Sequence, residues 1–129
     1  MRLESYRNNS NLKPEQKKVA DALCLLRMPN TTYNEPITLY DRLNKRLFVK
    51  RFDVWDTENL QGYECDGYVH QSNKQSLRDK RLNEIAVENG FKSPIRLDSE
   101  LVLQLDIAML ALLLKAKLEG QTVEVVSKC

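Results

Sequence analysis

Apolar positions along the chain change their spacing twice, and those changes divide it into a helical part, a strand-rich part and a second helical part. From Pro14 onward, Val19, Ala22, Leu23 and Leu26 recur at the three- and four-residue spacing that places them on one side of a helix. Proline suits a first helical turn and Glu15 complements the helix dipole, so a helix is predicted over residues 14 to 28, where Met28-Pro29 stops the pattern. After Pro36 the pattern shifts to short β-branched and aromatic runs, Ile37 to Tyr40 and Leu47 to Val54. The intervening Asp41 to Arg46 carries the Asp and Asn that favour turns, which predicts a hairpin. Leu39, Leu43 and Leu47 also fit a helix over residues 38 to 48, and the long β-type run that follows favours the hairpin.

Asp56 to Asn59 reads as another turn and Gly62 to His70 as a third strand, weakened by glycine and therefore edge-like. The middle of the chain is thus expected to form a small antiparallel three-stranded meander. Ser72 or Asn73 can cap a second helix that ends at Asn89-Gly90, with Gly90 in the left-handed position after the helix. Leu82, Ile85 and Ala86 would face inward, and Lys74, Arg78 and Arg81 would form another stripe. Beyond the break at Phe91 to Pro94, Asp98 or Ser99 caps a last helix ending at Glu119-Gly120, and Thr122 to Val126 forms a short final strand. The expected fold class is α+β, with residues 1–12 an N-terminal arm and residues 13–129 one domain.

The last helix is unusual because only Gln104, Asp106, Lys115 and Lys117 are polar between Leu101 and Leu118. At about 100° per residue these four lie on two opposed seams that separate two apolar faces. One face carries Leu101, Leu105, Met109, Leu112 and Ala116, and the other Leu103, Ile107, Leu110, Leu114 and Leu118. A surface helix needs one apolar stripe, so two imply cover on both sides. Either the helix is central within one chain, or the face of Leu103, Ile107, Leu110 and Leu114 is a homodimer seam.

Composition narrows the class. A chain of 129 residues with 42% hydrophobic and 29% charged residues suits one globular core. Cys24, Cys65 and Cys129 are widely spaced, which opposes a disulfide framework or zinc site and leads to an expected cytoplasmic protein with reduced thiols. The longest apolar run, Ile107 to Leu114, is well short of the ~20 residues of a membrane span, so no membrane partner is expected.

Candidate chemistry is sparse. His70 is the single histidine, and a strand would turn it and Cys65 to opposite faces. Glu64 and Asp66 share one strand face, with Asp53 and Asp56 nearby in sequence. No phosphate-binding glycine loop, metal-ligand cluster or serine elbow occurs. The expectation is a non-enzymatic protein without metal, cofactor or small-molecule substrate.

The net charge of +2 leaves any polyanion site to local clusters. Arg42, Lys45, Arg46, Lys50 and Arg51 lie on or beside the hairpin, and Lys74, Arg78 and Arg81 on the second helix. Brought together, they would form a phosphate-contacting surface, with Tyr40, Tyr63 or Tyr68 available to stack, although Asp41, Asp53 and Asp79 dilute the charge. Helix, three strands, helix over residues 14 to 89 resembles the layout, though not the motif, of double-stranded-RNA-binding domains. Ser72-Asn73-Lys74-Gln75-Ser76 stands where that family's lysine-rich helix start touches phosphates, without its tandem lysines and alanines. The expected role is a dimeric nucleic-acid-associated or assembly protein, RNA favoured, of the kind a virus or mobile element encodes. The alternative is a protein-interaction or structural subunit whose charges only solubilise it.

Overall fold

The computed structural model describes residues 12–67 and 73–120. The fold is α+β. Helix α1 (Pro14–Leu25) starts with the Lys13 N–H donating to Gln16 Oε1 at 2.8 Å, and ends where Arg27 turns left-handed (φ 64°) and the Met28 N–H returns to the Leu23 carbonyl at 2.9 Å. Gln16 is nearly fully buried, and its Nε2 donates to the Asp53 carbonyl at 2.9 Å and to Asn34 Oδ1 at 3.2 Å. It therefore ties the helix to the strands that follow.

Those strands are β1 (Thr31–Tyr33), β2 (Pro36–Asp41), β3 (Arg46–Arg51), β4 (Val54–Asp56) and β5 (Gln61–Asp66). The hairpin is present as β2 and β3, antiparallel from Pro36↔Arg51 to Asp41↔Arg46. The expected single meander is instead two sheets, because the apolar run from Leu47 to Val54 is interrupted at Phe52-Asp53 and β4 leaves the hairpin to pair with β1 and β5.

Strand β5 is also not an edge. It lies between β4 and β6 (Ile95–Asp98), the latter parallel with Tyr63 opposite Ile95. Gly62 does not weaken it: the Phe52 ring lies 2.6 Å from where a Cβ at Gly62 would stand, so the missing side chain admits the ring. Among the described residues five strands stand between α1 and the next helix, so the layout shared with double-stranded-RNA-binding domains does not hold.

Helix α2 (Asn73–Glu88) closes with Gly90 at φ 86° and the Phe91 N–H donating to the Ala86 carbonyl at 2.9 Å. The four-stranded sheet is covered on both faces, which is why all three residues of β4 are buried. On one face Val54, Tyr63 and Leu97 meet Val19, Ala22 and Leu23 of α1 together with Leu110 and Leu114. On the other, Trp55 joins Ile37, Leu39, Phe52 and Ile85, with Phe52 stacked on Trp55 at 5.6 Å and Phe91 edge-on to it at 5.4 Å.

The long apolar helix is two helices, α3 (Ser99–Gln104) and α4 (Ile107–Leu118). Asp98 caps the first by accepting from the Glu100 N–H at 3.0 Å; Leu105 is extended; and Asp106 caps the second by accepting from the Met109 N–H at 2.8 Å. Lys18 of α1 holds the break by donating to the carbonyls of Leu103 (3.0 Å) and Leu105.

The break removes the continuous two-faced geometry. Leu110 and Leu114 are fully buried in the chain's own core and Ile107 packs at its edge, so the expected dimer seam of Leu103, Ile107, Leu110 and Leu114 is not a surface, and only Leu103 is exposed. The opposite side, with Leu101, Met109 and Leu112, is bare in the single chain. The expected strand Thr122 to Val126, residues 1–11 of the arm, Tyr68, His70 and the capping Ser72 lie outside the described residues.

Candidate functional site

The hairpin docks on α2 through two polar clamps. Arg81 Nη2 lies 2.8 Å from Asp41 Oδ1. Asn89, just past the helix, exchanges two bonds with the backbone of Tyr40, accepting from its N–H at 3.0 Å and donating to its carbonyl at 3.1 Å. Between the hairpin, β5, β6 and α2 lies a cleft of about 500 Å³. Strand alternation sends Arg46, Phe48 and Lys50 of β3 into it and leaves Leu47 and Val49 outside. Glu64 and Asp66 line it from their shared face of β5, Arg78 and Arg81 from α2, and Arg96 from β6.

Most of the charges in the cleft neutralise one another. Lys50 pairs with Glu64 at 2.9 Å, Arg81 with Asp41, and Arg96 with Asp79 at 3.5 Å. Arg81 also reaches Glu84 at 3.1 Å and Glu88 at 3.5 Å. Three charged groups remain, Arg46, Asp66 and Arg78, all exposed at the mouth and without an ion-pair partner among the described residues. The guanidinium of Arg46 rests 5.8 Å from the centre of the Phe48 ring.

The titrating groups follow this arrangement. The Arg81 hydrogen bond, helped by Asn44, holds the Asp41 carboxyl far below the usual carboxylate range, and the same bond raises Arg81. Burial raises Glu64 against the pull of Lys50, and desolvation raises Asp66 against Arg96. Burial, followed by the charge of Asp53, pushes the Cys65 thiol up to about 12, so it is no thiolate nucleophile near neutral pH.

The structure brings the two basic clusters together and divides their members. Lys50 and Arg81 are engaged by carboxylates, and Arg51 points away from the cleft, its Nη1 donating to the Asn34 carbonyl at 3.0 Å. Arg42 and Lys45 at the hairpin tip, Arg46, Lys74 and Arg78 have no carboxylate partner among the described residues. Arg81 sits one turn before the buried Ile85, so the basic stripe of α2 runs on into the core rather than lying apart from it.

Tyr63 is unavailable for stacking, being buried in the first core with its hydroxyl unpartnered among the described residues, whereas Tyr40 is exposed. Asp53 is structural, accepting from the Cys65 N–H at 2.7 Å. Phe48 and Arg96 are cleft residues that the sequence reading did not name as candidates, and Asp66 and Asp79 were named only as a strand-face carboxylate and a diluting charge. The two-residue spacing of Arg46, Phe48 and Lys50 could have found Phe48; Arg96 was hidden with its strand.

Among the described residues no group of His, Cys, Asp or Glu is arranged to hold a metal ion, and no helix is long and apolar enough to cross a membrane. No protein-family model, no curated protein and no solved structure matches the chain.

Proposed function

We propose that the chain is a non-enzymatic nucleic-acid-binding protein, with RNA the favoured ligand, and that the mouth of the charged cleft is where phosphates are met. One observation carries this reading: among the described residues, internal pairing leaves the cleft two arginines from opposite walls, Arg46 and Arg78, with Arg42 and Lys45 free of carboxylates on the adjoining hairpin tip. Arginine forks satisfy phosphate oxygens directly, and release of counterions makes such binding strongly salt-dependent. Titration with single-stranded RNA, duplex RNA and duplex DNA at rising salt tests it. Binding should weaken steeply with salt, and Arg78→Gln together with Arg46→Gln should weaken it further. Absence of binding at low salt, or indifference to these changes, removes the proposal.

A second reading is favoured by the bare side of α4, where Met109 is 51% and Leu112 62% exposed. It is self-association through that side rather than through Leu110 and Leu114. Light scattering on the wild type and Leu112→Asp tests it: a monomeric wild type ends this reading.

A further inference from the structure

We propose that the cleft takes a single unstacked nucleotide and prefers guanine, with Asp66 reading the base; this rests on the nucleic-acid reading above. Among the described residues, internal pairing in the cleft leaves three charged groups over. A plain polyanion would be served by Arg46 and Arg78, yet Asp66 stands at the same mouth, acceptor-only when ionised, with no ion-pair partner among the described residues. Such a carboxylate repels phosphate, so a ligand that satisfies all three groups carries an anion and, apart from it, N–H donors. Nucleotides have this combination.

Among the common bases, guanine alone presents two adjacent donors, N1–H and the N2 amino group, which match the two oxygens of a carboxylate. Uracil offers one N–H between two carbonyls, and cytosine and adenine each set one amino group beside an acceptor nitrogen. The half-buried Phe48 in the wall packs on the second core and carries the Arg46 guanidinium over its ring, and a guanidinium plane held in this way is a surface on which a base can stack. A cleft of about 500 Å³ lies within the range of small-ligand sites. Single strands are the form in which bases are free to turn outward and be read on this edge.

The test uses the full chain at low salt and three fluorescent RNA octamers: uridine throughout, uridine with one central guanosine, and the same with inosine, which keeps N1–H but lacks the amino group. Guanosine should strengthen binding roughly tenfold over uridine, with inosine between them. Asp66→Asn, at an exposed position, should erase that preference while leaving the all-uridine octamer bound at least as well. Arg78→Gln should weaken all three and lower the logarithmic salt slope by about one. Equal affinity of the wild type for the guanosine and uridine octamers overturns the guanine inference and leaves nucleic-acid binding standing. A guanosine preference that survives Asp66→Asn overturns the role of Asp66. Failure of every octamer to bind overturns the guanine inference, and the broader reading falls with it only if duplex RNA and duplex DNA also fail to bind at low salt.

Discussion

Two hairpin turns in this chain are built alike and used differently. Asp41-Arg42-Leu43-Asn44-Lys45 joins β2 to β3, and Asp56-Thr57-Glu58-Asn59-Leu60 joins β4 to β5. In each, Oδ1 of the aspartate accepts from the backbone N–H groups two and three residues on, at 3.0 and 3.3 Å in the first turn and 3.0 and 3.0 Å in the second. Oδ2 accepts from the asparagine side chain at 2.8 and 2.7 Å, and the fifth residue is left-handed, with φ 52° at Lys45 and 55° at Leu60. Local sequence sets all of this.

The surroundings differ. The first turn tips a two-stranded sheet and its aspartate reaches out to Arg81, whereas the second closes the central sheet around a fully buried Asp56 that has no ion pair among the described residues. The same short-range chemistry docks a peripheral element in one place and seals the core in the other.

The largest effect should separate the two aspartates. Asp56→Ala leaves two backbone N–H groups and the Asn59 amide without their acceptor in a buried place, a loss of about 3 kcal/mol that urea denaturation would read as a lower midpoint. Asp41→Ala should mainly open the hairpin, lowering amide-exchange protection over β2 and β3 with a smaller shift in midpoint, because that element can detach without dismantling the central sheet. Equal midpoint shifts would end the comparison.

One step along each hairpin, the pair Tyr40↔Leu47 in the first corresponds to Trp55↔Gly62 in the second. Leu47 is 68% exposed, so Leu47→Ala should change stability by less than about 0.5 kcal/mol. Gly62→Ala drives a methyl group into the Phe52 ring and should cost about 2 kcal/mol, measurable in the same titration.

Both turns were legible because Asp and Asn act on their own neighbouring backbone. The strand β4 that enters the second turn was not, and neither was β6, since the two are only three and four residues long and owe their existence to distant partners. The hairpin was legible from its β-type runs, whereas a surface shared by its basic residues and those of α2 was raised only as a condition; Arg46 and Lys50 do line one cleft with Arg78 and Arg81. The division of labour within that cluster was not legible: Glu84 and Glu88 lie near Arg81 on its own helix, but what makes it a clamp is Asp41, 40 residues away in sequence, while Arg78 has no carboxylate partner among the described residues. Asp106 was misread for a related reason. In a run of leucines it looks like a polar seam, yet a short acceptor side chain in an apolar run is equally an N-cap, and the extended Leu105 and the reach of Lys18 decide between the two.

Acid should act on the first turn in a way its aspartate makes readable. The folded-state pKa of Asp41 lies below the value of about 3.9 for an unfolded chain, so its contribution is present above that pH and is lost as pH falls toward the folded value. In that window the unfolded chain holds more protons than the folded one, and stability must rise with pH. Asp41→Asn should remove this part of the slope between about pH 4 and lower, while Leu47→Ala keeps it. Denaturation midpoints at a series of acid pH values check the sign, and a slope unchanged in Asp41→Asn would mean that Arg81 does not govern this carboxyl.

The smallest effect probes the left-handed residues themselves. A non-glycine side chain in that conformation costs roughly 1–2 kcal/mol, whereas glycine costs less there but gives the unfolded chain more freedom, so the net gain from introducing glycine is about 0.5 kcal/mol where the side chain does nothing else. Lys45 meets that condition, being exposed at the hairpin tip without a carboxylate partner among the described residues, so Lys45→Gly should raise the urea midpoint slightly. Leu60 does not, because at 39% exposure much of its side chain is covered, and Leu60→Gly should give back in lost packing what it gains in backbone strain. A gain at both positions would show that Leu60 contributes no packing, and a gain at neither would show that the aspartate and asparagine bonds already make the left-handed turn as favourable for lysine as for glycine.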